Sequence, residues 1–319
     1  MVGTFAQIDY RLRPSKHAER TMLVDLFRKI RFAPIDSYQY VGFGSIAFVD
    51  FKMVHRSLGI VNLVSIEDAQ TPEECVRFRR NNPMRHIDLR FGHSSSVLPT
   101  LDFGKRSLVW LDYDGALTRS MANDMASIAA TAASGSFLGV TLTINFRHPD
   151  EIRLQAEFER LKAEFPEFVD AKTKVLTFQN PDKHAEFARH ALGSLLQTAL
   201  DNADGGLPDP LDRRSAHQVC YFRYSDGAPM VTVGWLIVAR KDDATMRDCE
   251  LGALHFYRDS DVAFRIKMPR VTPMEIREME RRLPNITAPE VLRWIPQKER
   301  AAFFAMHRYL PSFGNVEPI

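Results

Sequence analysis

The stretch Tyr38-Gln-Tyr-Val-Gly-Phe-Gly-Ser-Ile46 narrows the possible folds more than any other part of this chain. An apolar run ends in two glycines one residue apart, and a helical pattern follows. The spacing predicts a strand over 38–42, a tight turn at Gly42 and Gly44, and a helix over 45–58. Glycine lacks Cβ, so such a turn can take positive φ and a ligand can approach its peptide groups closely. The helix would aim free N–H groups and the positive end of its dipole at whatever lies over the turn. A second apolar strand over 60–66 ends directly in Glu67-Asp68. A glycine turn with an acid at the end of the next strand is an arrangement that grips a nucleoside, the carboxylate on the ribose hydroxyls.

Strand and helix patterns alternate from there. Strands are expected over 85–90, 105–112 and 135–144, and helices over 72–82 and 118–134. The run 105–112 is continuously apolar until its last residue, as in the buried middle of a parallel sheet. Five strand-then-helix units predict an α/β fold with a doubly wound sheet and right-handed crossovers. Two further helices, 149–165 and 183–199, lead to strands over 219–224 and 230–238. The short Gly/Pro turn between them makes an antiparallel hairpin. Before all this, residues 15–30 carry helical periodicity, with Ser15 as N-cap and Lys16, Glu19 and Arg20 placed mostly on the polar face. That helix either covers one side of the sheet or closes the ligand pocket and brings Lys16 or Arg20 near the ligand. From 245 onward prolines punctuate short charged helices, one of them opened by a Thr272/Glu275 capping pattern. The division expected is an N-terminal helical flap (1–34), a Rossmann-like catalytic domain (35–244) and a mostly helical C-terminal appendage (245–319).

Charge and cysteine usage exclude several classes. A net charge of only +2 on 319 residues demands no nucleic acid or anionic membrane, so either would need a local patch. No apolar run has the length of a membrane span, and the first fourteen residues lack a signal-peptide core. Cys75, Cys220 and Cys249 have no zinc-ligand spacing and read as reduced thiols in a cytoplasmic protein.

Dinucleotides and S-adenosylmethionine are the two cofactor classes that fit the Gly-x-Gly turn and the acid. The dinucleotide fingerprint asks for a third glycine and welcomes a basic residue, and the turn has neither. The order Val41-Gly-Phe-Gly-Ser45, Ser65-Ile-Glu67, Gly92-His-Ser-Ser95, Trp110-Leu-Asp-Tyr-Asp-Gly115 and a late hairpin resembles the class I S-adenosylmethionine-dependent methyltransferases. Gly92-x-Ser-x-x-Val-Leu98 is similar to the O-methyltransferase branch in particular. The resemblance covers about residues 35–240.

It implies a Rossmann-like methyltransferase sheet and S-adenosylmethionine as cofactor. Gly42, Gly44 and Ser45 would lie under its methionine part, Glu67 on the ribose and Asp68 beside the adenine. Gly92, His93 and Ser94 would pass along the adenine edge, and Asp112 would face the transferred methyl. The chain departs from the family pattern at Tyr40, Ile46 and His93. Asp112 and Asp114 flank Tyr113 on a short turn and are the candidate bases. Alternatively one of them caps the next helix and the other is solvated. No third oxygen ligand is placed beside them, so no metal is expected. The acceptor, an oxygen or a nitrogen, belongs to a small molecule or to nucleic acid held by the arginines at 77, 79, 80, 85 and 90. A homodimer contact through the appendage is a further possibility. The competing readings are a catalytically silent scaffold with this fold and a nicotinamide-dependent oxidoreductase.

Overall fold

The computed structural model describes residues 13–146, 150–170, 173–284 and 292–311. In chain order the elements are α1 (Pro14–Phe27), β1 (Gln39–Gly42), α2 (Val49–Leu58), β2 (Asn62–Glu67), α3 (Pro72–Asn81), β3 (Ile87–Phe91) and α4 (Ser94–Val97). Next come β4 (Ser107–Ala116), α5 (Arg119–Thr131), β5 (Ser136–Thr143), α6 (Glu151–Glu164), α7 (Val175–Gln179) and α8 (Pro181–Asp204). The chain ends with β6 (Arg214–Ser225), β7 (Pro229–Ala239), α9 (Asp243–Asp248), β8 (Phe264–Arg265), α10 (Pro273–Glu280) and α11 (Gln297–Met306). Among the described residues no helix is long and apolar enough to cross a membrane.

The strands form one sheet in the order β3-β2-β1-β4-β5-β7-β6-β8. Strands β1 to β5 run parallel, while β7 is antiparallel to both neighbours, β5 and β6. The order reverses between β1 and β4, so the turns after these two strands part to opposite faces and leave a crevice at their carboxyl ends. Alternate strand residues feed two cores. Val41, Val109 and Leu138 pack with Met125 and Ile128 of α5 and Leu192 of α8 on one face. Tyr40, Trp110 and Phe137 pack with Phe27 of α1, Phe51 of α2 and Phe78 of α3 on the other. Each such fully buried aromatic or aliphatic side chain stabilises the fold by roughly 1.5–3 kcal/mol. The C-terminal segment contributes Phe256, Met306 and Tyr309 to the second core. It also holds a small cluster of its own around Met279, Leu292, Ile295 and Phe303. The Thr272/Glu275 capping box opens α10 as its spacing requires.

The structure corrects four local expectations. Pro14 takes the first position of α1, so Ser15 is no N-cap. The Ser15 and Lys16 N–H groups instead donate to the Asp226 carboxylate in the β6–β7 turn, at 3.2 and 2.9 Å. The helix after the glycine turn begins at Val49, not at 45, because Ser45 and Phe48 are left-handed (φ 51° and 48°). The Phe48 ring is buried against Phe51 and Phe78, which opposes that local strain. Gly42 and Gly44 are not among the residues with positive φ; they are required by close packing. Finally, β4 continues to Ala116 through an irregular register, so Asp112, Tyr113 and Asp114 lie in the strand. Helix α5 is capped by Thr118, which accepts from Met121 N–H, and not by either aspartate.

Close packing also explains a facing pair of glycines, Gly139 of β5 and Gly234 of β7. The Phe137 ring lies over both: a Cβ on Gly234 would come within 2.6 Å of the ring and 2.7 Å of Cys220 Sγ. The same ring meets Phe27 of α1 edge-on at 4.9 Å. Gly234→Ala is therefore expected to cost about 1–3 kcal/mol through overpacking. Adding Phe137→Leu should return part of that loss, read from denaturant unfolding of the single and double variants.

Candidate functional site

A cavity of about 320 Å³ occupies the crevice at the switch point. That lies in the range of roughly 300–1,000 Å³ common for small-molecule sites. Nine of the ten residues singled out from sequence line it: Gly44, Ser45, Glu67, Asp68, Gly92, His93, Ser94, Asp112 and Asp114. Gly42 stands one step behind, inside β1, where a Cβ would sit 2.9 Å from the Trp110 carbonyl oxygen.

Glu67 ties the cavity together. It ends β2 almost fully buried, and its Oε1 accepts from Gly44 N–H at 3.0 Å and from the Ser65 hydroxyl at 2.6 Å. A Cβ on Gly44 would lie 2.7 Å from that oxygen and 2.4 Å from Ser65 Oγ, so only glycine lets the turn come this close. Burial raises the Glu67 pKa to about 7, against the pull of its hydrogen bonds. Asp68 is exposed beside it and bonded to Gln70 Nε2. Across the crevice, exposed His93 caps α4, while the Ser94 hydroxyl turns inward and donates to Asp124 at 2.6 Å. The Tyr113 hydroxyl donates to the same oxygen of Asp124, also at 2.6 Å, and Phe43 packs edge-on against Tyr113.

Helix α1 supplies what the linear reading assigned to its outer face. Lys16, Glu19 and Arg20 are buried, and they point at the sheet. Lys16 Nζ lies 2.6 Å from Asp112 Oδ1, 2.8 Å from Glu19 Oε2, 3.2 Å from Tyr224 OH and 4.4 Å from the centre of the Trp110 ring. Glu19 also accepts from Thr232, which bonds Thr141 at 2.7 Å; Thr141 in turn accepts from Trp110 Nε1 at 2.9 Å. Burial raises the Glu19 pKa while Lys16 opposes the shift. Arg20 reaches the cavity wall and pairs with Asp50 at the start of α2. Both readings of the first helix therefore hold at once: it covers the second core and it walls the cavity. The signal was present in the spacing, since Lys16 and Arg20 share the 16, 20, 23, 27 stripe with Leu23 and Phe27. Asp124 likewise sits on the stripe of Met121, Met125 and Ile128, where an acid is out of place unless bonded.

The cavity is acidic. Asp50, Glu67, Asp68, Asp112 and Asp114 line it, and Arg20 is the sole Lys or Arg among its lining residues. Arg20 offsets Asp50 and Lys16 offsets Asp112, and the acids that remain favour a ligand with a positive centre over a pyrophosphate. Ile66 and Phe78 supply apolar surface. Among the described residues no group of three or more His, Cys, Asp or Glu is placed to hold a metal ion.

A doubly wound sheet with β7 wedged antiparallel between β5 and β6, and a cavity at its switch point, defines the Rossmann-like methyltransferase class. The chain belongs to the family described as "Putative O-methyltransferase", whose pattern matches residues 8–318. Among curated proteins no sequence matches it. Of solved structures, the O-methyltransferase from Bacillus cereus in complex with SAH is similar at 11% identity, over 72% of this chain and 84% of that one, TM-score 0.38. A structure described as "a putative O-methyltransferase from Klebsiella pneumoniae" is similar at 12% identity, over 73% and 84%, TM-score 0.37. LepI bound to SAH and a substrate analogue aligns at 6% identity over 63% of this chain, TM-score 0.35, and the chain spans 43% of its length. For DesVI of Streptomyces venezuelae that share is 50%.

The Glu67 carboxyl makes apo stability depend on pH with a definite sign. Between its ordinary value of 4.5 and about 7, the folded state keeps a proton that the unfolded state has lost. Stability contributed by Glu67 thus falls as pH rises through this window, by about 3 kcal/mol in all. Urea unfolding from pH 5 to 8 should show this decline in the wild type relative to Glu67→Gln, whose amide oxygen keeps the acceptor without the charge.

Proposed function

We propose that the chain is an S-adenosylmethionine-dependent methyltransferase acting on an oxygen or nitrogen of a small-molecule acceptor. The observation that carries this is the Gly44–Glu67 closure, which places a buried carboxylate and a Cβ-free turn on one wall of an acidic cavity at the switch point. The buried carboxyl against which the Gly44 turn packs, and the excess of acids, fit a molecule that joins ribose hydroxyls to a sulfonium. When bound, that cofactor supplies an electrophilic methyl group, so alignment accounts for most of the rate.

In this reading Glu67 accepts from the ribose hydroxyls and ionises as it does so, while Asp68, Gly92, His93 and Ser94 flank the adenine. Asp112 takes the acceptor's proton, and Lys16 holds one of its oxygens so that the carboxylate keeps its place on the wall. Asp114 stands on the same wall nearer to solvent. The free thiols of Cys75, Cys220 and Cys249 accord with a cytoplasmic protein.

Isothermal titration of the full chain should give saturable heat with S-adenosylmethionine and S-adenosylhomocysteine, and none would sink the proposal. Glu67→Ala should weaken binding by about tenfold to hundredfold, the loss of hydrogen bonds to a charged group. Asp112→Asn should keep affinity within about threefold and lower turnover on an identified acceptor by about 10²–10⁴. Unchanged turnover in Asp112→Asn would remove that residue from the chemistry.

A further inference from the structure

A second hollow, of about 730 Å³, opens between the β6–β7 turn, the segment 265–270 that runs on from β8, and α11. Its charge is opposite to that of the first. Arg223, Arg265, Lys267, Arg270 and Lys298 line it, against the carboxylates of Asp226 and Glu299. Both of those carboxylates are already engaged. Asp226 accepts the first N–H groups of α1, and Glu299 Oε2 accepts from Arg270 N–H at 2.7 Å.

Arg223 and Arg265 share a single further anion, Asp182 at the start of α8. Arg223 is 12% exposed, and its buried Nε has no hydrogen-bond partner. Burial and the neighbouring Arg265 push its pKa down to about 10. Lys267 and Arg270 are exposed, and among the described residues neither side chain has an ion-pair partner. A buried donor without an acceptor is costly, and planar guanidinium groups match carboxylate and phosphate oxygens in pairs.

The hollow lies on the same edge of the sheet as the first cavity. In β7 Pro229 faces Ser225 and Met230 faces Thr143, so the turn stands beside the carboxyl end of β5. Tyr224 lines the second hollow, and its hydroxyl accepts from Lys16, which also holds Asp112 on the wall of the first. Pro14 and Ser15 at the start of α1 border the second hollow, and Arg20 further along the helix borders the first.

We propose that the second hollow is an anion subsite that binds a carboxylate or phosphate group of the methyl acceptor through Arg223, Arg265, Lys267 and Arg270. That the anion belongs to the acceptor rests on the methyltransferase reading; that the hollow binds an anion does not. The two cavities then sort ligands by charge, the cationic cofactor to the acidic side and the anionic acceptor to the basic side.

Titration of the full chain with sodium phosphate and with succinate, at ionic strength held constant with chloride, tests the site. Saturable binding is expected, and the stronger of the two probes tells a phosphate-bearing acceptor from a carboxylate-bearing one. The surface pair Lys267→Glu/Arg270→Glu should weaken that binding by about tenfold or more and leave the S-adenosylmethionine heat unchanged. Arg265→Ser serves as a second variant should the pair fail to fold. Equal responses in wild type and variants, or a response that follows ionic strength alone, would overturn the site. So would binding of a single-stranded oligonucleotide that neither anion displaces. Loss of cofactor binding with anion binding intact would count against the proposed activity and not against the subsite.

Discussion

The hydrogen bond from Gly44 N–H to Glu67 Oε1 ties the turn after β1 to the end of β2 beside the switch point, and the geometry of the cavity follows from it. The turn after β1 must lie against the end of β2 for that bond to form, which is why no side chain is tolerated at residue 44. The contact costs something, because the carboxyl is held where water scarcely reaches it. A buried acid with a pKa near neutrality is poised between two charge states, and a ligand bearing donors or a positive centre selects one of them. Backbone strain lies beside it, one and four residues after Gly44, where Ser45 and Phe48 are left-handed without being glycine. Strained backbone is tolerated where the surroundings over-determine it, and here the buried Phe48 ring does so.

The second organising element is the charged face of α1. A lysine, a glutamate and an arginine enter the second core, and each is matched: Lys16 by Asp112 and Glu19, Arg20 by Asp50. Buried ion pairs add little net stability over apolar packing, yet removing one partner is costly. Their consequence is positional. The helix cannot rotate or slide on the sheet without stranding a charge, so Arg20 stays at the cavity wall and Asp112 keeps one fixed neighbour. The Trp110–Thr141–Thr232–Glu19 chain carries the same constraint across β4, β5 and β7.

Much of this was legible in the residues. Glycines before a helical pattern, an acid ending the next strand and a late Gly/Pro turn were enough for the doubly wound sheet and its antiparallel close. They also located the cavity, since strand ends in such a sheet share one edge. What escaped notice were partners that lie far apart in sequence. Lys16 and Asp112 are 96 residues apart, and Ser94 and Asp124 are 30 apart. Periodicity places a charge on a stripe but cannot say which distant residue neutralises it. The extent of β4 was missed for a related reason: Asp112-Tyr-Asp-Gly115 has the composition of a turn, and only pairing of Asp112 and Ala116 with β5 keeps it extended.

The anchoring of α1 on Asp226 has a bearing on how the chain is made. The helix leaves the ribosome before the sheet it packs on, and the acceptor for its leading N–H groups lies 211 residues further along. At about 5–20 residues per second, that separation means some ten to forty seconds of synthesis before the partner exists. Through that interval a helix with Lys16, Glu19 and Arg20 beside Met22, Leu23 and Phe27 lacks the β6–β7 hairpin that supplies Asp226, Tyr224 and Thr232. The anchor of the helix that walls the cavity therefore exists only after translation has passed the turn between β6 and β7.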